Sequence, residues 1–150
     1  MSDGHESRTS VETSVNSSSD IPGNGNYIIE DTSPYDWRTP QNNNLWQGTS
    51  SLNNPCPNGY RLPTSTELDT ERLSWSSNTS AGAFASPLKL VASGFRNRYD
   101  GTVNYEGRNG DYWSSTVNGT ESHGMGIDSN NAGIYSYDRA YGLSVRCIQD

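Results

Sequence analysis

The chain has 150 residues, of which 30% are hydrophobic, and it carries a formal net charge of −7. This length fits one domain with some chain left over for a tail. The negative charge disfavours nucleic acid and anionic membrane surfaces as partners, because phosphate binding requires clustered lysine and arginine. No stretch is long and apolar enough to predict a transmembrane helix, so membrane insertion is not expected.

The first part of the chain predicts a linker. Residues 1–25 are rich in Ser, Thr, Asp and Gly without apolar periodicity, so we expect a flexible leader before a domain over residues 26–150. The leader lacks the basic and apolar regions of a signal peptide, so a secreted protein is expected to carry its signal elsewhere. Order is expected to begin with a strand at residues 27–29. In the following polar loop, Trp37 and Trp46 either anchor the loop to the core or form a ligand platform.

One helix is predicted over residues 64–77. Thr64 and Glu67 fit a capping box, in which the Thr64 hydroxyl accepts from the Glu67 amide and the Glu67 carboxylate reaches back. Leu68 and Trp75 follow at helical spacing. Beyond the helix, the alternating apolar residues of the segment 88–92 predict a strand.

The C-terminal half predicts short antiparallel strands joined by turns. Asp100 followed by Gly101 is a strong hairpin signal, and residues 128–131 predict a tight turn. One early helix followed by a meander of short strands with long loops is an α+β layout. The expected strands of this half cover residues 112–116, 125–127, 132–135 and 143–148.

The two cysteines, Cys56 and Cys147, lie near the two ends of the expected domain. A disulfide between them would close a long loop and stabilise a thin core by roughly 4–5 kcal/mol in the chain-entropy model. Such a bond implies an oxidising compartment, and therefore an extracellular or cell-surface location. Two unrelated buried thiols are the alternative.

Three segments carry a recognisable pattern. They are Cys-Pro-Asn-Gly-Tyr-Arg-Leu-Pro-Thr at 56–64, Tyr-Trp-Ser-Ser-Thr at 112–116 and Arg-Ala-Tyr-Gly-Leu-Ser-Val-Arg-Cys at 139–147. Together they resemble the Fibrobacter succinogenes major paralogous (FISUMP) domain, which is related to C-type-lectin-like and sulfatase-modifying-factor-like folds. The resemblance covers about residues 35–150 and implies a C-type-lectin-like domain.

Within that family, the chain looks like the peptide-binding module near the tip of RTX adhesins of marine bacteria and vibrios. The resemblance implies a monomeric module of a bacterial surface adhesin. It would hold the C-terminus of a peptide or protein on a host or other cell with help from calcium. A glycan-binding lectin-like module and a receptor scaffold with variable loops are the alternatives.

Oxygen-bearing side chains in the C-terminal half suit calcium, which prefers carboxylate, amide and carbonyl oxygens. Asp128 and Asn130 resemble the start of an EF-hand loop, but the glycine and the distal glutamate are missing. A site assembled from separate loops is the calcium hypothesis, and the alternative is that turns simply favour Asn and Asp. The candidate metal ligands are Asp100, Asp111, Asp128, Asn130, Asn131 and Asp138.

Tyrosines surrounded by Asn, Ser and Gly resemble antibody-type binding surfaces, where tyrosine offers rigid amphipathic contact area. The alternative is that these rings replace phenylalanine in the core. An arginine such as Arg96 could pair with a ligand carboxylate in bidentate geometry. The candidate ligand-binding residues are Arg96, Tyr99, Asn104, Tyr105, Asp128, Asn130, Tyr135 and Tyr137.

Catalytic signals are weak. No Gly-x-Ser-x-Gly elbow occurs, and His123 has no free cysteine nucleophile to activate. No pattern marks a pair of carboxylates for glycoside hydrolysis. The sulfatase-modifying relatives implied by the resemblance use copper and reactive cysteines, whereas both cysteines here are expected in the disulfide. We therefore expect a binding module and not an enzyme.

Overall fold

A computed structural model describes residues 11–150 and shows an α+β fold with one disulfide, as the sequence predicts. None of the helices over residues 11–150 has the length and apolar character to cross a bilayer. The helices are α1 Ser65–Leu73 and α2 Ser80–Ala85. The strands are β1 Glu12–Thr13, β2 Tyr27–Ile28, β3 Tyr60–Arg61, β4 Phe95–Arg96, β5 Val103–Asn104, β6 Gly110–Asn118, β7 Glu121–Ile127, β8 Ala132–Tyr137 and β9 Ile148–Gln149.

The central element is the antiparallel sheet β6-β7-β8. In its register Met125 lies between Tyr112 and Ile134, and Gly126 lies between Asp111 and Gly133. The β7–β8 connection is the tight turn predicted at residues 128–131. The meander of three strands therefore follows the sequence-based expectation, although β6 and β7 run longer than the apolar patches indicate.

Helix α1 confirms the predicted capping box. The Glu67 amide donates to the Thr64 hydroxyl at 3.2 Å, and the Thr64 amide donates to the Glu67 carboxylate at 2.8 Å. The helix ends at Leu73 and not near residue 77, because Ser74 caps it with a hydroxyl bond of 2.6 Å to the Glu71 carbonyl. A short side chain that can bond its own backbone ends a helix readily.

Two further elements differ from expectation. Helix α2 was not predicted, because its small residues show no helical periodicity. The strand predicted over residues 88–92 is wrong, since this segment is irregular. The Tyr112 hydroxyl binds both backbone groups of Val91, accepting from its amide at 2.8 Å and donating to its carbonyl at 2.9 Å. A side chain thus satisfies the backbone groups that a neighbouring strand would otherwise pair.

Both helices pack on one face of the central sheet, which we call the helix face. It carries Tyr112, Met125, Ile127 and Ala132, all at most 5% exposed. Leu68 of α1, Ala83 of α2 and Leu90 complete this cluster, and Trp75, Leu88 and Ile134 pack at its edge. Burying each large apolar side chain contributes about 1.5–3 kcal/mol, so this cluster is the main apolar core.

A smaller cluster and the disulfide close the other side of the domain. Leu62, Trp113 and Leu143 are buried together, and Cys56 packs against them. Cys56 and Cys147 are bonded across 91 positions of the chain, which confirms the predicted disulfide. Near them, β3 pairs with β9.

The closing strand predicted over residues 143–148 is mostly wrong. Only Ile148–Gln149 forms a strand, and Ser144 makes an isolated bridge to Tyr112. The alternating apolar pattern here places side chains in the smaller cluster without a continuous ladder.

Residues 11–17 are tied to the domain by backbone hydrogen bonds, which their linker-like composition did not predict. Strand β1 pairs in parallel with β2, and the Ser17 amide donates to the Trp37 carbonyl at 3.0 Å. Residues 1–10 of the leader predicted over residues 1–25 lie outside the described residues. The boundary at residue 26 stays a prediction.

Candidate ligand-binding groove

The second face of the central sheet, which we call the tyrosine face, lies opposite the helices. Since neighbouring residues of a strand point to opposite faces, the register places Asp111, Trp113, Tyr135 and Tyr137 here, together with the glycines at 124, 126 and 133. Trp113 is covered by the smaller cluster. The smaller cluster does not extend to the part of the tyrosine face around Gly126. There the Tyr135 residue is 46% exposed.

Both tyrosine rings lie close to the backbone of β7, because glycine leaves the space free. A Cβ atom at Gly126 would lie 2.7 Å from the Tyr137 hydroxyl oxygen and 3.0 Å from the Tyr135 ring. A Cβ at Gly124 would lie 3.1 Å from the Tyr137 ring. At Gly124 the Tyr112 carbonyl oxygen would lie closer still, at 2.7 Å, so a larger residue would require movement of the rings at both positions and of the backbone at Gly124. The glycines of β7 therefore form a floor on which the two phenol rings pack, and Gly124 and Gly126 are buried beneath them.

A groove of about 360 Å³ opens above this floor. This volume lies within the roughly 300–1,000 Å³ of small-ligand sites. Five of the predicted site residues meet there, which sequence spacing alone could not establish. The lining residues are Asn109, Asp111, Gly126, Ile127, Asp128, Asn131, Tyr135 and Tyr137.

Asp111 and Tyr137 form a buried pair in the wall of the groove. The Tyr137 hydroxyl donates to Oδ1 of Asp111 at 2.7 Å. Asp111 is only 6% exposed, and its Oδ2 accepts no hydrogen bond from residues 11–150. Burial raises the pKa of the Asp111 carboxyl, against the effect of the Tyr137 hydrogen bond. Burial, assisted by the Asp111 charge, also raises the pKa of Tyr137, so the phenol keeps its proton.

The turn between β7 and β8 forms the rim. Oδ1 of Asp128 accepts from the amides of Asn130 and Asn131 at 2.6 and 2.8 Å, and these hydrogen bonds lower the pKa of Asp128. Nδ2 of Asn131 donates to the Tyr135 hydroxyl at 3.0 Å. Its Oδ1 accepts from Asn78 at 2.8 Å. The turn is thereby linked both to the ring of Tyr135 and to the segment before α2.

The segment of the β4–β5 hairpin, residues 95–105, holds the other predicted ligand-binding residues except Asn130, which lies in the β7–β8 turn. Oδ1 of Asp100 accepts from the Thr102 amide at 3.0 Å, which confirms the turn predicted at this position. Arg96 bonds the Gly101 carbonyl at 2.7 Å and Glu12 at 2.9 Å. None of the predicted residues of this hairpin, Arg96, Tyr99, Asp100, Asn104 and Tyr105, lines the groove.

Asp138 forms an ion pair with the buried Arg98, at 2.8 Å between Oδ2 and Nε. The Arg98 guanidinium lies 3.8 Å from the ring centre of Tyr35 and 3.9 Å from that of Tyr99. This arrangement gives Asp138 and Tyr99 a structural role in holding Arg98. Their predicted roles toward calcium and ligand stay predictions.

The calcium hypothesis gains no support from the acidic side chains. Over residues 11–150, no group of three or more His, Cys, Asp or Glu side chains lies close enough together to hold a metal ion. Of the six candidate ligands, Asp111, Asp128 and Asn131 line the groove, whereas Asp100 and Asp138 serve the contacts described above. Asn130 contributes a backbone amide to the turn.

The tryptophans of the loop 36–48 act as anchors. Trp37 is 7% exposed, and Trp46 packs against the smaller cluster. A cavity of about 50 Å³ lies beside them and is also lined by Trp113 and Arg139. These rings therefore do not form an open platform.

Sequence reasoning missed three residues of the groove, namely Asn109, Gly126 and Ile127. Gly126 carries a usable signal: glycines at 124 and 126 on alternate positions of a strand indicate one face without side chains. Asn109 and Ile127 lie at strand ends and show no comparable pattern.

Comparison with known proteins adds a family match. A family model described as "Domain of unknown function (DUF8237)" matches residues 72–148, a segment that contains every residue lining the groove. No curated protein and no solved structure matches the chain significantly.

Proposed function

We propose that this chain, which belongs to the family described as Domain of unknown function (DUF8237), is a noncatalytic extracellular module that binds a polypeptide. The observation that carries this function is the groove on the tyrosine face. An exposed tyrosine beside a glycine floor offers a rigid amphipathic surface at low entropic cost.

The disulfide supports the extracellular part of this function. Cystines persist in oxidising compartments and are rare in the cytosol. The bond holds the lead-in to β9 against the residues before α1, so it stabilises the side of the domain that lacks a helix layer. A domain that must keep one sheet face open for a ligand benefits from such a covalent link.

A more specific proposal, which we call the finer function, is that the chain is a calcium-assisted peptide-binding module of a bacterial cell-surface adhesin of the RTX type. It rests on the FISUMP-like motifs alone, as do the C-type-lectin-like fold, the monomeric state and the target-cell partner. The description of the matched family carries no function. Calcium is therefore a proposal to be tested together with the ligand.

Peptide arrays test the binding function. The oxidised domain should bind a subset of peptides, and Tyr135→Ala should reduce binding because it removes the exposed ring of the groove. Tyr60→Ala, which removes a tyrosine that is 37% exposed in β3, is the matched control and should bind normally. Parallel arrays with free and amidated C-termini, with and without calcium, report on the finer function.

Binding that survives Tyr135→Ala but is lost on changes in the β4–β5 hairpin would move the site to that hairpin. Absence of binding to every peptide would contradict the polypeptide function.

A glycan is the second candidate ligand. The observation in its favour is the exposed Tyr135 ring next to the polar side chains of Asn131 and Asp128, which is an arrangement suited to sugar stacking. A glycan array screened with the same two tyrosine variants decides between the two ligand classes.

A further inference from the structure

We infer that the groove binds a primary ammonium group of its ligand with Asp111 as the counter-charge, an inference that rests on the binding function proposed above. The ammonium would belong to a lysine side chain or to a polypeptide N-terminus. This assignment differs from the capture of a C-terminal carboxylate that the family resemblance implies.

The first argument is the unused acceptor. Oδ2 of Asp111 is buried and accepts no hydrogen bond within residues 11–150, while Oδ1 accepts from Tyr137. A buried carboxylate oxygen without a donor is unfavourable, because the lost hydration is not replaced. A charged N–H donor from a ligand would restore the missing hydrogen bond.

The second argument is the sign of the local charge. Asp111 and Asp128 both line the groove, and no lysine, arginine or histidine of residues 11–150 lines it. A ligand carboxylate would meet two like charges there, and a cation would meet two opposite ones. The phenol rings of Tyr135 and Tyr137 add cation–π attraction, which favours an ammonium over a neutral amide.

The third argument separates ammonium from guanidinium. An arginine binds a carboxylate best when both oxygens are available to its two parallel N–H donors. At Asp111 one oxygen is already used by Tyr137 at 2.7 Å, so a single-point donor fits better.

The fourth argument separates an organic cation from calcium. Calcium requires about six to eight oxygen ligands. Oδ1 of Asp128 already accepts two amides, Oδ1 of Asn131 accepts from Asn78, and Oδ1 of Asp111 accepts from Tyr137. The remaining oxygens are too few for a protein-only calcium site.

The test is a titration of the oxidised full chain with small peptides. Binding is monitored through the backbone amide NMR shifts of the three glycines of the tyrosine face. The probes are capped tripeptides, acetyl-Gly-X-Gly-amide, with lysine, arginine or norleucine as X. We expect the lysine peptide to shift these amides, the norleucine peptide to leave them unchanged and the arginine peptide to bind more weakly. Gly-Gly-Gly-amide carries an N-terminal ammonium and no lysine. Amide shifts caused by this peptide would therefore show binding of an N-terminal ammonium, and shifts caused only by the lysine peptide would show binding of a side-chain ammonium.

Asp111→Asn should weaken lysine-peptide binding by at least about tenfold, because a charge-assisted hydrogen bond is lost. Asp100→Asn removes the same charge from an exposed turn outside the groove and should leave the affinity unchanged within about twofold. If Asp111→Asn fails to fold, the comparison of lysine with norleucine on the unaltered chain still decides.

Equal shifts from the lysine and norleucine peptides would overturn the ammonium assignment, and so would tighter binding of the arginine peptide. Displacement of the lysine peptide by calcium chloride at submillimolar concentration would also overturn it. Groove shifts produced only by peptides with a free C-terminus would contradict the ammonium and leave the binding function intact. If array-positive peptides shift only residues outside the groove, both assignments fail.

Discussion

The helix face and the tyrosine face of the central sheet are formed by alternate residues of the same three strands, yet they differ in how they are stabilised. On the helix face, Met125 and Ile127 are buried under α1 and α2. On the tyrosine face, Gly124 and Gly126 let the rings of Tyr135 and Tyr137 pack directly on the sheet, and a small cluster with a disulfide lies at one end. Under the proposed binding function, stability and recognition are assigned to opposite faces of one sheet, residue by residue.

The largest expected effect concerns the disulfide, which supports the side without helices. Cys147→Ser should lower the free energy of unfolding by about 4–5 kcal/mol, because a loop spanning 91 positions is no longer closed. The melting temperature, measured by circular dichroism, should fall by about 10–20 °C. Reducing agent should produce a similar loss in the unaltered protein and no further loss in the variant. An unchanged melting temperature would show that the tyrosine face does not depend on covalent closure.

Neighbouring residues on β7 provide the sharpest test of the two-face comparison. Met125→Ala should cost about 2–5 kcal/mol of stability because it leaves a cavity under the helices. At a temperature where the variant is folded, its ligand affinity should be retained. Gly126→Ala should weaken ligand binding more, since its Cβ would displace the Tyr137 hydroxyl from Asp111, at a stability cost of about 1–3 kcal/mol. Chemical denaturation and binding measurements on both variants check this, and parallel losses in both properties would refute the separation.

The smallest expected effect concerns the capping box that holds α1 on the helix face. Bonds from Arg61 and Thr64 lower the pKa of Glu67 from 4.5 to about 2. Because the folded-state pKa is depressed, this stabilisation is present above pH 4.5 and is lost as the pH falls toward 2.

The side chain of Glu67 is 40% exposed, so solvent screening keeps the contribution below about 1 kcal/mol. The difference in unfolding free energy between the unaltered protein and Glu67→Gln should therefore shrink across this pH range. Glu106→Gln, on an exposed loop, is the control. If this difference in unfolding free energy does not vary with pH, the charge of Glu67 does not contribute to the capping box.

Local signals predicted the elements that depend on neighbouring residues. The capping box of Thr64 and the turn at Asp100 and Gly101 need only a few consecutive positions, and the structure confirms both. The strand predicted over residues 88–92 is wrong because the backbone of this segment is bound by a distant side chain, the hydroxyl of Tyr112. A side chain that replaces a strand partner leaves no trace in the periodicity of the segment it binds.

The candidate site was harder to predict than the fold. The composition of the C-terminal half indicated Asp111, Asp128, Asn131 and the tyrosines, but it also indicated hairpin residues that lie outside the groove. The contact between Asp111 and Tyr137 joins β6 to β8 across β7 and depends on the register of both strand pairs. It becomes possible only because the strand between them bears glycine, a relation that no short window of sequence contains.

The glycine floor also bears on how this domain can acquire new ligands. The glycine positions of the floor cannot be varied, because a Cβ at Gly126 would meet both phenol rings, so diversification of the proposed ligand must come from the border of the floor. Asn109, Asp128, Asn131 and Tyr135 line the groove and are not members of the buried apolar cluster. A combinatorial library restricted to these four codons should therefore yield mostly folded proteins with altered ligand preference.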